Sequence, residues 1–547
     1  MFTLSAAFAQ APETAPSPAI DTFRVNTRLV EVEVVVHAKG KPVDDLKAED
    51  FTIQDQGKPQ RVAAFAIRRA TDQRQVRPLA AGEKSNRVNS LGEEPVGATV
   101  ILLDTLNSDP EDMVEMRRQL LIYLDKVLSD PAGMHDRLAL YSLNKTLQIV
   151  QDFSGDPARL RLIVARWKAV SSVDVNAASL ITDLPTTGDP ITDGMIDASA
   201  KEMTDNANLR RAENTAFAME TIAKHLSGLP GRKKLIWAGA SFSARTSDVR
   251  SRNGMQQIEI RNYSEFIDKS VRALNEAHVA VYPIDPRNPC KNGCSTTSSG
   301  FMATGIETMN LFAGGTGGKA FYVVSDIASV INEAIEDSEV TYALGFYPDS
   351  SKLDGKFHTL KVKVARDGLD VRHRKGYIAG DGKQPQPKVQ QKSFKEAMES
   401  PLDSTGIGLS GRLTGTDLVR NGHEVLLRID PQELQLATEQ TQSGMMVWTT
   451  MVTLGTFLSA QPKSGLLLDV KLTFTEQRLK EVLRDGYLIR VPIDNKGFPT
   501  SARIGVIDRS SGRMGSLTFN IAEGEAPALA PSRILELQQQ KVPALTQ

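Results

Sequence analysis

The chain has 547 residues of ordinary globular composition, 40% hydrophobic and 24% charged, enough for roughly three or four domains. Its 65 basic and 66 acidic residues leave a formal net charge of −1, without the concentrated basic face that nucleic acid or an anionic membrane surface requires. No apolar run approaches the ~18 residues of a membrane span.

The first 20 residues, MFTLSAAFAQAPETAPSPAI, are rich in Ala and Pro. Ala7-Phe8-Ala9 before Gln10 has the small-x-small form of a signal-peptidase site, and we read 1–20 as a residual export signal or a disordered leader. Residues 21–70 predict strands: apolar and charged residues alternate over Leu29–Val34, and turn signals fall at Lys39-Gly40 and Gln56-Gly57. Residues 70–95 lack an apolar period and read as a linker.

From Val96 strands alternate with helices. ATVILLD at 98–104 is a continuous apolar strand of the kind buried on both faces, and Pro110 opens an amphipathic helix. Further strands are predicted at RLALYSL, LQIVQDF, KKLIWAGAS, VAVYPIDP and GKAFYVV, with helices between them. Residues 171–212 are polar and irregular, and a helix is expected to begin near Thr215 and end at Gly228. Over 95–339 this alternation predicts an α/β domain with an open, mostly parallel sheet covered on both faces.

After Val340 strands return, with a hairpin signal at Asp354-Gly355. Three strands make a marginal sheet. The economical arrangement joins 21–70 with 340–380 in one discontinuous β-sandwich into which the α/β domain is inserted; separate strand appendages are the other possibility. Residues 381–394 read as a linker, 395–525 as a second strand-rich domain and 526–547 as a disordered tail.

Several segments carry a family likeness. The strand-Asp-turn-helix at 98–128, GLPGRKKLIWAGASFS, VAVYPIDP and LFAGGTGGKAFYVVSDI resemble a von Willebrand factor A domain. VDDLKAEDFTIQDQGKPQRVAAF before them and YALGFYPDSSKLDGKFHTLKVKV after them resemble the bacterial, mainly acidobacterial, VWFA-related family. The resemblance covers about 21–525. It implies a doubly wound, mostly parallel sheet flanked by Ig-like β-sandwich domains, secretion, and an adhesion or scaffolding role without a defined ligand.

Domains of that kind bind Mg²⁺ at the C-terminal edge of the sheet, through D-x-S-x-S, a later threonine and an aspartate after the fourth strand. In ILLDTLNSDP, Asp104 and Ser108 match the first and last positions, and Thr215 matches the threonine. Leu106 stands in place of the middle serine, and Ser241 is the nearest group to the missing aspartate. Asn107 and Ser241 are candidate partner contacts. Mg²⁺ wants six oxygens, and losing a carboxylate and a hydroxyl weakens the set. The other reading has Asp104 accepting from the amides of its own turn and capping the helix at Pro110.

Cys290 and Cys294, the only cysteines, most simply form a small-loop disulfide in an exported chain; two free thiols are the alternative, and a lone C-x₃-C without a nearby histidine is no zinc site. Gly239-Ala240-Ser241-Phe242-Ser243 mimics a nucleophile elbow but ends in Ser243 where close packing wants glycine, and the SARTSDVRSRN behind it is no apolar helix. Asp285 and His358 would complete a hydrolase order. Gly314–Lys319 mimics a phosphate loop but runs into a strand rather than a helix. The resulting expectation is an exported, non-enzymatic, protein-binding chain with an unidentified protein ligand and at most weak Mg²⁺ assistance. A metal-free envelope scaffold is the main alternative and a serine hydrolase a distant one.

Overall fold

In the computed structural model the described residues are 29–69, 79–87, 97–129, 136–170, 187–229, 231–252, 255–287, 296–322, 324, 326–337, 339–349, 354–379, 386–417, 422–441, 444–459, 467–493 and 500–521. The leader 1–20, the tail 526–547 and both cysteines lie outside them. The architecture is mixed α/β and sheet-rich.

Chain order begins with β1 (Val30–Ala38), β2 (Lys41–Pro42), β3 (Phe51–Asp55), β4 (Lys58–Gln60) and β5 (Ala64–Arg69). Two of the turns between them use left-handed pairs, Lys39-Gly40 and Gln56-Gly57, as the twist of a tight hairpin demands. The short β6 (Lys84–Ser85) follows. β1 is buried on both faces: Val30, Val32, Val34 and Val36 point into an apolar core, while Glu33 and His37 face the next part of the chain.

That next part is built on β7 (Gly97–Asp104), α1 (Pro110–Ser129), β8 (Asp136–Leu143), β9 (Leu147–Ser154), α2 (Pro157–Arg166), α3 (Pro190–Leu226) and β10 (Lys233–Ala238). It continues with β11 (Arg245–Arg252), β12 (Met255–Asn262), α4 (Ser264–Glu276), β13 (Val279–Ile284), α5 (Thr296–Thr316) and α6 (Ile327–Glu336). One five-stranded sheet runs β13-β10-β7-β8-β9, parallel except for the β8–β9 pair. Alternate residues of β7 enter two cores, Val100 and Leu102 on one face and Ile101 and Leu103 on the other. Helices α3 and α4 cover the first face; α1, α2 and α6 cover the second. Among the described residues β11 and β12 pair only with each other, as a two-stranded sheet apart from the five-stranded one.

Three readings change here. The long helix α3 begins at Pro190, capped by Asp189, so part of the polar stretch 171–212 is helical and Thr215 lies well inside a helix. Its low apolar content hid it, because half of it faces no core. Among its described residues GKAFYVV supplies only an isolated bridge, Ile284 to Phe321. SARTSDVRSRN supplies β11 where the sequence showed no regular element.

The chain then returns through β14 (Val340–Phe346), β15 (Phe357–Val364), β16 (Asp370–His373) and β17 (Gly376–Ile378). β14 lies antiparallel between β1 and β5, and β15 between β3 and β17, so two sheets face each other over one core. Asp354-Gly355 therefore joins strands of different sheets and closes no hairpin between β14 and β15. Charged groups tie this sandwich to the inserted sheet. Arg374 donates to the carbonyls of Asn275 (3.0 Å) and Glu31 (2.6 Å), and buried Asp337 pairs with Arg372 at 2.5 Å and accepts from the Tyr282 hydroxyl.

The last part comprises α7 (Pro387–Glu399), β18 (Leu409–Asp417), β19 (Gly422–Ile429), β20 (Ala437–Gln440), β21 (Met446–Leu458), β22 (Leu467–Thr475), α8 (Glu476–Asp485), β23 (Tyr487–Ile493), β24 (Ser501–Asp508) and β25 (Met514–Asn520). Its two sheets enclose a separate apolar core. Both linkers contribute to it. β6 pairs with β18, and Phe394 and Met398 of α7 pack against Ile507.

Thr405 fastens this part to the C-terminal end of α3. Its hydroxyl donates to the His225 carbonyl (2.5 Å) and accepts from the Gly228 amide (2.8 Å), while its carbonyl receives Arg87 Nε at 2.8 Å. A β-carbon on Gly228 would meet the Thr405 carbonyl oxygen at 1.6 Å. Gly228→Ala is expected to cost about 3 kcal/mol through this overlap and to raise hydrogen exchange around 403–407. Unchanged exchange there would show that the contact is dispensable.

Candidate functional site

The C-terminal edge of the parallel sheet is where ligand crevices form in open α/β folds. Strand period and register bring the key groups together. Asp104, the last residue of β7, follows Val100 and Leu102 on the same face, and Trp237 of β10 is registered with Leu102. The Trp237 ring is fixed edge-on against Phe312, centroids 5.3 Å apart, with its N–H donated to Asp104.

Asp104 is fully buried and its carboxylate accepts four N–H groups. Oδ1 receives the amides of Leu106 and Asn107, both at 3.0 Å. Oδ2 receives Asn107 Nδ2 at 2.7 Å and the Trp237 indole at 2.8 Å. Burial pushes the Asp104 carboxyl above its usual range, while the bonds from Asn107 and Trp237 and the charge of Arg211 oppose that shift.

Asn107 is the second element. Its Nδ2 also donates to Thr215 Oγ1 at 2.9 Å, and its Oδ1 accepts Arg211 Nε at 3.0 Å. A guanidinium can only donate, so the amide orientation is dictated by its neighbours. Arg211 and Thr215 are four residues apart on α3, one turn on the same face. Ser108 turns the other way: its Oγ accepts the Ala240 amide at 2.8 Å and holds the loop after β10. Gly239 is required there, because a β-carbon would lie 2.6 Å from Ser108 Oγ.

Leu106 is buried in the same core as Trp237. The position that resembles a serine ligand is thus a packing residue.

A divalent ion needs oxygen lone pairs directed at it and benefits from several negative charges. The oxygens of Asp104, Ser108 and Thr215 are directed at N–H groups instead, around a single carboxylate and beside a guanidinium. The residues present do not fit Mg²⁺. Among the described residues no group of three or more His, Cys, Asp or Glu side chains is placed to hold a metal.

The remaining sequence candidates divide. Asp104, Asn107, Ser108 and Thr215 meet in one network, and all four are buried. Ser241 is also buried, and its hydroxyl reaches only the Phe242 carbonyl, at 3.3 Å. Asn107 and Ser241 therefore present no open side chain to a partner. Asp285 is clamped by Arg287 through both oxygens, and His358 bonds Asp55 inside the sandwich, so Ser241, Asp285 and His358 form no relay. Cys290 and Cys294 lie outside the described residues. Sequence reasoning missed Arg211 and Trp237. The Arg211–Thr215 spacing would have indicated the first had the helix been traced back to Pro190.

No family model and no curated protein matches the chain. Among solved structures it is similar to a point mutant of the PilB minor pilin from Streptococcus sanguinis, at 11% identity and TM-score 0.26, over 44% of this chain and 60% of that one. An aerotolerance-related membrane protein from Bacteroides fragilis gives 9% identity and TM-score 0.22, over 44% of this chain and 98% of that one. The pilus adhesin SpaC from Lactobacillus rhamnosus GG gives 8% and 0.23, over 83% and 56%. The chain thus spans about 60% of the length of the minor pilin it matches. No helix among the described residues is long and apolar enough to cross a membrane.

Replacing Trp237 by Phe keeps the ring but removes one donor to a buried carboxylate. The expected loss is about 2 kcal/mol in denaturant unfolding, the range for bonds to charged groups. An unchanged midpoint would mean that Asp104 does not need the indole.

Proposed function

We propose that the chain is an exported, non-enzymatic protein-binding protein, with a doubly wound, von Willebrand A-like domain that engages its partner at the C-terminal edge of the sheet without a metal ion. The observation that carries this reading is the Asp104 network. It joins the loop after β7, the loop after β10 and helix α3 into one rigid platform, with Arg211 supplying the positive charge nearby. Loops fixed before binding lose less entropy on contact, which favours recognition. The contact surface is the rim above this buried support, including exposed Asp109, rather than Asn107 or Ser241 themselves. Export is supported by Ala7-Phe8-Ala9 and by the close pair Cys290 and Cys294.

A metal-free envelope scaffold is the second reading. It is favoured by the links at Thr405 and Arg374, which fasten both strand-rich parts to the inserted sheet.

Two measurements separate these ideas. Calorimetric titration of Mg²⁺ and Mn²⁺ should give no binding heat with wild type or with Asp104→Ala; heat in wild type that Asp104→Ala abolishes would restore a metal-dependent site. A photo-crosslinking residue at Asp109 should capture a partner in envelope fractions, while one at Lys126, an exposed position near the far end of α1, should not. Equal capture at both positions, or none at Asp109, would sink recognition through this edge.

A further inference from the structure

The N-terminal half of α3 is an unusual piece of the molecule. Its buried residues run only from Ala207 to Leu226, so the turns from Pro190 to Asn206 contribute no side chain to a core. Most helical stability in proteins comes from packing an apolar face. This stretch nevertheless carries large apolar groups: Met195, Met203 and Phe217 along the helix are 70%, 56% and 53% exposed.

These groups share one outward face, opposite the side that α3 lays on the sheet. Their spacing has a further property. Counted from Asn206, Met203 lies three residues before and Leu209 three after; Glu202 lies four before and Arg210 four after. Ser199 and Glu213 lie seven to either side, and Met195 and Phe217 eleven to either side. Offsets of three, four, seven and eleven fall on one side of an α-helix. All nine residues are exposed.

We propose that this face of α3 is a self-association surface, on which a second copy of the chain lays its own α3 antiparallel about a two-fold axis at Asn206. In that register Met195 meets Phe217 of the other copy, Met203 meets Leu209, and Glu202 faces Arg210. An isologous interface requires this kind of self-complementarity, in which each residue meets the partner of its mirror position. The apolar pairs supply the attraction, and the charges disfavour a parallel arrangement, which would stack Glu202 on Glu202. Asn206 sits at the axis against its equivalent, where a single polar residue specifies register in helix pairs at some cost in stability.

The overlap from Met195 to Phe217 is roughly 33 Å of helix at 1.5 Å per residue. A single helix pair of that length falls at or below the ~800 Å² per partner of a standard interface, so the association is concentration-dependent. The proposal is independent of partner recognition at the sheet edge. The seam lies on the opposite side of α3 from Arg211 and Thr215, and a dimer would present two such edges together.

Sedimentation equilibrium of the full chain over a concentration series tests it. A monomer–dimer equilibrium is expected for wild type. Met203→Asp and Phe217→Asp, both at exposed positions, should weaken it by about tenfold or more without altering the circular dichroism of the monomer. Glu202→Arg should weaken it, and the double change Glu202→Arg with Arg210→Glu should restore it. The register is read separately with Cys290 and Cys294 replaced by Ser. Asn206→Cys should then cross-link to itself on mild oxidation, whereas Ser199→Cys should cross-link only when mixed with Glu213→Cys. A chain that stays monomeric to its solubility limit overturns the proposal. So does a dimer that survives Met203→Asp and ignores the charge exchange, since it would use another face. If the serine background does not fold, the charge exchange in the native background decides alone.

Discussion

The edge of the parallel sheet depends on one buried charge. Asp104 ends the central strand in a place without solvent, and a carboxylate there is costly unless every lone pair is met. Four N–H groups meet it, from two backbone amides, the Asn107 side chain and the Trp237 indole. Much of the local sequence follows from that demand. Leu106 turns inward, Asn107 bridges to α3, Ser108 ties down the next loop, and Gly239 leaves room for both. Arg211 places a positive charge one residue away, across Asn107. A site of this construction holds two loops and a helix in fixed relation to one another.

The same economy of polar contacts joins the three parts of the chain. Arg374 and Asp337 fasten the sandwich to the inserted sheet, and Thr405 fastens the last part to the end of α3. In each seam a buried charged or hydroxyl group bonds to a partner in a neighbouring part, often a backbone carbonyl. Burying such a group alone would be expensive, so these contacts favour one relative placement over others. The Val/Glu alternation in β1 expresses both roles at once, with valines in the sandwich core and Glu33 turned to the seam.

Much of this was legible in the sequence, for a physical reason. Apolar runs such as ATVILLD and the Lys39-Gly40 and Gln56-Gly57 turns are local signals, and the structure realises them at those positions. The return of β14 to pair with β1 was legible because three strands alone make a poor sheet. The first turns of α3 were not, because large apolar residues such as Met195 and Met203, eight apart, are too sparse there to mark a helical face. Arg87 and Lys84 sat in apparent linker because their partners lie more than 300 residues away. At the candidate site, Asp104, Ser108 and Thr215 could be placed by resemblance. The donors that surround them could not, since nothing in the order of residues reveals which way an indole or a guanidinium points.

The central claim is that Asp104 is held by protein N–H groups and by no cation. The indole N–H of Trp237 reports on it directly, and with three tryptophans in the chain its ¹⁵N-resolved signal can be assigned by substitution. The account predicts slow exchange of that proton with solvent and no change in its shift when Mg²⁺ is added. Rapid exchange, or a shift that saturates with Mg²⁺, would contradict it.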